Sequence, residues 1–244
     1  VHHLGRTRST TQTTHSVHTP DTFVRTRMPG MQGAMAIIHT SPAMGAFFSQ
    51  YSVEFEAKGV LGPTPAQRFF YVLEGEVVLV AGGKKHRLKK KGYAYLPEGT
   101  KHRVVAATAA RVEVMEKPYD QVDGIPAPKM LVSSEEKVAS QALMGDEDLQ
   151  VRSLLPDTVS FDFAVNTMTY QPGAALQMVE VHVMEHGLLM LEGGGIYRLG
   201  ESWYPVREGD FIWMAPYCPQ WFGAIGKAPA KYLIYKDWNR DPLV

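Results

Sequence analysis

Phe70-Tyr71-Val72-Leu73-Glu74-Gly75 and Leu188-Leu189-Met190-Leu191-Glu192-Gly193 are two copies of one pattern, and their spacing decides the fold. The first copy leads through a short basic hairpin to Lys91-Gly92-Tyr93-Ala94-Tyr95-Leu96-Pro97. The second leads through another hairpin to Glu208-Gly209-Asp210-Phe211-Ile212-Trp213-Met214-Ala215-Pro216. Both run Leu-Glu-Gly, a charged residue and Gly, an apolar strand, then Pro. The two Leu-Glu-Gly sites are about 118 positions apart. Solenoid repeats recur every 20 to 50 residues or so, hence this period marks a duplicated domain.

Outward from these motifs the pattern stays β. Segments are short, alternating and rich in Val, Ile and Tyr, with glycine turns between them. Val77-Val78-Leu79-Val80 stops at Ala81-Gly82-Gly83, and Ile196-Tyr197-Arg198-Leu199 stops at Gly200-Glu201-Ser202; each stop predicts a hairpin. Many short strands of this kind predict an all-β fold, a sandwich or small barrel in each of the two copies. The expected division is an N-terminal arm over 1–20, a first barrel over 21–117, a linker over 118–148 and a second barrel over 149–244. Pro126-Ala127-Pro128 supports the linker. Within it, Ser133 to Gln141 is the best helix candidate, with Ser as cap before Glu135-Glu136.

Composition narrows the function classes. The chain has 244 residues, 45% of them hydrophobic and 20% charged, enough for a sizeable core. Lys plus Arg number 25 and Asp plus Glu number 25, so charge offers no argument for nucleic acid or an anionic membrane as partner. A zero net charge does not oppose assembly into a homo-oligomer. Cys218 is the single cysteine. No internal disulfide can form, which fits a reducing, cytoplasmic setting, and the residue reads as a small buried hydrophobe. No apolar run reaches the roughly 20 residues that span a bilayer. The Ser-, Thr- and His-rich stretch Val1 to Thr19 lacks the apolar core of a secretory signal.

The stretch that carries chemistry is Val179-Glu180-Val181-His182-Val183-Met184-Glu185-His186-Gly187. On a strand, residues two apart share a face, so Glu180 and His182 point together and the three valines point away. A short turn can bring His186 to the same place. The motif Ala215-Pro216-Tyr217-Cys218-Pro219 then delivers Gln220. One carboxylate, two imidazoles and an amide oxygen suit a divalent cation, and the amide favours Mn²⁺ over Zn²⁺. The same residues also spell His-x-x-Glu-His, an inverted zincin motif, but that reading needs a helix. The alternating valines and Gly187 oppose one. Glu185 is then left without a catalytic role. Tyr232, Ile234 and Lys236 share one face of a late strand, while Trp203, Trp213 and Trp221 read as core.

This set resembles the (S)-ureidoglycine aminohydrolase family of bicupins. A cupin barrel usually carries His-x-His and then a Glu, with a second motif ending in His. Here Glu180 takes the first His position, His182 the second and His186 the Glu position, and Gln220 replaces the last His. The resemblance extends through Leu191 to Gly200, Trp203 to Val206, Pro219-Gln220-Trp221 and Tyr232 to Arg240, and more weakly upstream to about Thr19. It implies jelly-roll cupin barrels and a bound Mn²⁺. It also implies hydrolysis of the small molecule (S)-ureidoglycine to (S)-ureidoglycolate and ammonia, in purine and allantoin catabolism. Metal ligands would be Glu180, His182, His186 and Gln220. Tyr197, Tyr232 and Lys236 would contact substrate, and Glu180 and Lys236 would be catalytic. The first barrel keeps Gly92, Pro97, Gly99 and His102 of its second motif, but Pro63-Thr64-Pro65-Ala66-Gln67-Arg68 stands where its other ligands belong. Whether Gln67 or Arg68 keeps a vestigial pocket there stays open. His2, His3, His15, His18, His39 and His86 have no partner at ligand spacing. Two other readings also stay open: an Fe²⁺ bicupin dioxygenase, and a cupin that binds a small ligand without catalysis.

Overall fold

Gly75 and Gly193, which end the two Leu-Glu-Gly copies, have φ of 73° and 66°. A Cβ added at Gly75 would lie 2.3 Å from the Ala109 carbonyl oxygen, and one at Gly193 would lie 2.5 Å from that of Pro229. Only glycine meets both the left-handed backbone and the close approach. At each site the pairing to the neighbouring strand slips, between Arg111 and Val112 in one copy and Met190 and Glu192 in the other. The motif is therefore a bulge that bends a strand, as barrel closure needs. Gly82 and Gly83, with φ of 54° and 72°, turn strand Glu76–Ala81 into Lys84–Lys89, and Gly200 helps turn Gly194–Leu199 into Ser202–Arg207.

The computed structural model describes residues 7–240; His2 and His3 lie outside them. Those residues form 21 strands and three single 3-10 turns, with no α-helix. Among the described residues no helix is long and apolar enough to cross a membrane. The chain divides into two compact units. One spans Val24–Val138, a ten-stranded sheet curled into a nearly closed barrel around Tyr51, Phe70, Val72, Leu79 and Val112. The other joins the segment up to Phe23 to Ala139 and onward. It holds an eight-stranded and a three-stranded sheet around Leu188, Met190, Tyr197, Phe222 and Tyr232.

Two stretches take places that the sequence reading did not give them. Within the segment read as an arm, His15–His18 is a strand paired with Phe211–Met214. Arg8 forms an ion pair with the fully buried Asp210, and His15 Nε2 lies 2.8 Å from the Tyr204 hydroxyl. The helix expected over Ser133 to Gln141 is instead strand Leu131–Ser134, a 3-10 turn Glu135–Lys137 and strand Gln141–Leu143. Ser133 and Ser134 pair with Tyr93 and Gly92, and the Glu135 carboxylate accepts a 2.6 Å bond from the Tyr71 hydroxyl. Sheet pairing and that buried bond outweigh a local capping signal.

Glu113, fully buried in the N-terminal unit, accepts bonds from Gln50 Nε2 (2.8 Å) and Ser52 Oγ (2.6 Å), while His39 Nε2 lies 2.9 Å from Ser52 Oγ. Burial pushes its carboxyl up to about 7, against those two donors and Arg111. An unfolded carboxyl ionises near 4.5, whereas this one holds its proton to about 7. Between those values the folded state binds more protons, so its contribution to stability is lost as pH rises. Glu113→Gln is expected to leave stability unchanged below that window and to raise it above, in urea unfolding at pH values on either side. Equal stability changes at both would refute this.

Candidate active site of the C-terminal unit

The segment before His186 is held by backbone pairing. The Glu180 amide donates to the Gln220 carbonyl (2.8 Å) and the Gln220 amide donates back (2.9 Å), one isolated bridge in place of the strand expected over 179–183. The Tyr217 amide donates to the His182 carbonyl at 2.7 Å. Val179 and Val181 turn to solvent, 40% and 56% exposed, but Val183 is half-buried like His182, so the expected alternation holds only around Glu180. His186 opens strand His186–Glu192, facing Met214 on one side and Lys236 on the other. Gln220 opens Gln220–Ala224. Residues 182–186 form no helix, which removes the zincin reading.

The side chains meet in pairs. His182 Nε2 lies 3.1 Å from Glu180 Oε2, and the His182 and His186 rings are 5.2 Å apart between centroids. The Tyr197 hydroxyl donates to Gln220 Oε1 at 3.1 Å. Among the described residues no three His, Cys, Asp or Glu side chains come together as a group that could hold a metal ion; the contacts here are pairwise. His186 is buried, and its imidazole is pushed down to about 3 by that burial first, then by His182 and Lys236. It is therefore neutral at physiological pH, the state in which an imidazole nitrogen can ligate a cation.

A buried phenol cluster flanks these groups. Tyr232 lies on Ala230–Asp237 with Lys236, and its hydroxyl is 2.6 Å from that of Tyr170. Burial holds the phenols of Tyr170, Tyr197 and Tyr232 well above the usual tyrosine range, and the Glu180 carboxylate adds to each. Tyr170 was not visible as a site residue: it ends strand Phe163–Tyr170 opposite Ala230, a register no local motif encodes. The Lys236 ammonium lies 4.2 Å from the centroid of the Trp238 ring. Burial lowers its pKa, while Asp157 and Glu180 draw it up.

The other singled-out residues take structural places. Glu185 is fully buried, accepting a 3.0 Å bond from the Trp213 indole. Trp213 is core, and the Trp221 indole donates to the Leu176 carbonyl at 2.7 Å. Trp203 corrects the expectation of core: it is 58% exposed, edge-on to Trp221 and under the Arg198 guanidinium. Cys218 is buried.

Comparison with known proteins adds the following. A family model described as a cupin domain matches residues 53–116 and 166–235. The chain is 41% identical over 243 residues to a protein of Oryza sativa subsp. japonica named "Probable (S)-ureidoglycine aminohydrolase", covering 98% of this chain and 78% of that one. It is 39% identical to the (S)-ureidoglycine aminohydrolase of Arabidopsis thaliana, covering 98% and 80%. The crystal structure of the Escherichia coli protein Ylba superposes with a TM-score of 0.86 at 29% identity, covering 98% of this chain and 97% of that one.

Proposed function

Because the chain belongs to the (S)-ureidoglycine aminohydrolase family of cupin-domain proteins, we propose that it hydrolyses (S)-ureidoglycine to (S)-ureidoglycolate and ammonia. One set of contacts supports the reading: Glu180 against His182, His182 ring to ring with His186 and His186 opposite Lys236 in the sheet, with Gln220 bridged to Glu180 through the backbone and bonded by the Tyr197 hydroxyl. The donor set fits Mn²⁺, with two hard oxygens from Glu180 and Gln220 and two imidazoles, one of them held neutral by burial. When bound, the ion supplies Lewis acidity that orients the oxygen donors of the substrate and withdraws charge from it.

The chain's own groups do the rest. The Lys236 ammonium pairs with the substrate carboxylate, a charge-assisted contact strengthened by its partial burial. The Tyr197 hydroxyl holds the Gln220 amide so that Oε1 faces inward, and its phenol oxygen can still accept an N–H of the ureido group. Tyr232, with its hydroxyl fixed by Tyr170, offers a second contact to substrate. Glu180 manages the proton: a carboxylate engaged through one oxygen keeps the other to take a proton from water and deliver it to the departing amine. The leaving nitrogen departs as ammonia, and the hydroxyl of water takes its place on carbon.

The test is ammonia release from freshly prepared (S)-ureidoglycine, measured beside its spontaneous decay, with and without chelator. Enzyme-dependent release that falls on chelation and returns with Mn²⁺ is the expected result. Release no faster than the spontaneous rate would overturn the assignment. Oxygen uptake in the same assay would point to dioxygenase chemistry instead.

A further inference from the structure

The strand registers of the two units match position for position. Arg68 pairs with Leu96 and Glu116 as His186 pairs with Met214 and Lys236. His102 pairs with Ala81 as Gln220 pairs with Leu199. Thus Arg68, His102 and Glu116 stand where the C-terminal unit has His186, Gln220 and Lys236. Two of those counterparts are ligands in the function proposed above, and the comparison rests on that reading.

Arg68 is 3% exposed, and its guanidinium gathers three acceptors. Nη1 donates to the Gly62 carbonyl (2.7 Å) and to His102 Nε2 (2.7 Å), and Nε donates to Glu116 Oε1 (2.6 Å). The Tyr51 hydroxyl holds the same Glu116 oxygen at 2.8 Å. His102 Nδ1 lies 2.7 Å from the Thr100 carbonyl, so Nδ1 carries the proton and Nε2 presents its lone pair inward. A ring fixed in this way by a backbone carbonyl is how a histidine is commonly prepared for a cation.

We propose that the N-terminal barrel is a second cation site, formed by His102 Nε2, the Gly62 carbonyl and the Glu116 carboxylate, whose resident cation is the guanidinium of Arg68. The duplication then kept two cation sites per chain, and one of them carries its cation covalently. The occupant class follows from the acceptors: a planar, delocalised cation able to donate in several directions at once.

The experiment uses the full-length chain. Arg68→Ala removes the guanidinium and leaves the partly buried Glu116 carboxylate without its cation, so Tm should fall by about 10 °C. Added methylguanidinium at low millimolar concentration should recover much of that loss in the variant and leave wild type unmoved. Sodium chloride at equal ionic strength should recover none. If Arg68→Ala does not fold, Arg68→Met keeps the bulk without the charge. It should also lower Tm, and adding Glu116→Gln to it should shrink the deficit. A methionine variant as stable as wild type, or rescue of the alanine variant by sodium chloride as good as by methylguanidinium, would overturn the proposal. None of these readouts uses ureidoglycine, so they stand or fall apart from the catalytic assignment.

Discussion

A His182→Ala variant is expected to lose binding of the proposed Mn²⁺ and about 1000-fold in kcat/KM while melting, metal-free, within a few degrees of metal-free wild type. His182 touches both other ionisable members of the proposed ligand set, 3.1 Å from Glu180 and ring to ring with His186. Its loss separates the carboxylate from the second imidazole and removes one of the four proposed ligands outright. Replacing a residue that merely supports a ligand costs about 10- to 100-fold in metal affinity, so losing the ligand itself should exceed that. The fold has little at stake. The side chain is about one-third exposed, and what the backbone does here, accepting from the Tyr217 amide, survives truncation. Elemental analysis of the purified variant, turnover of ureidoglycine and thermal melts after chelation check the three parts. Full metal content with full activity would remove His182 from the ligand set.

The parts of the molecule that could be read in advance are those whose physics is local. The Leu-Glu-Gly copies report a bulge because only glycine fits at Gly75 and Gly193, and the Gly82-Gly83 turn needs positive φ twice. Glu180, His182 and His186 lie close in sequence, so their pairwise contacts through His182 need no long-range register. Tyr170 and Arg68 could not be read in this way. Tyr170 meets Tyr232 across 62 positions, and Arg68 meets His102 across 34, through registers set by whole strands. The segment from Leu131 misled because its Ser-Glu-Glu cap is weak beside a strand edge waiting to be paired. Trp203 misled for another reason. Ser202–Arg207 carries large side chains on both faces, Trp203 on one and Tyr204 and Val206 towards the other, so alternation alone does not say which face is inside. The strand His15–His18 has too few apolar residues to announce itself, and its place comes from Arg8, Asp210 and Tyr204.

Lys236→Met should move activity and stability in opposite directions. The ammonium sits largely buried against Trp238, and burial lowers its pKa in spite of Asp157 and Glu180. A lowered value means that removal from water outweighs the attraction of those carboxylates. The sign follows: between the folded pKa and the unfolded 10.5 the unfolded chain binds more protons, so stability rises with pH there, and below that window the charged lysine is a net cost. Methionine has similar length and no charge, and it removes that cost. Tm at neutral pH is therefore expected to be no lower than that of wild type. The substrate carboxylate, in contrast, loses its only proposed cationic side-chain partner. A charge-assisted contact of 2 to 3 kcal/mol or so corresponds to about a 100-fold loss in kcat/KM, taken mainly as a rise in KM. Lys236→Arg should recover little, because a planar fork does not reproduce a compact ammonium stacked on an indole. Steady-state kinetics and melts on the same preparations decide between roles. A methionine variant with unchanged KM and a Tm several degrees lower would make Lys236 a structural residue. A binding lysine that destabilises the empty protein yields the pattern expected here, because such a group is retained for its contact with substrate and not for the fold.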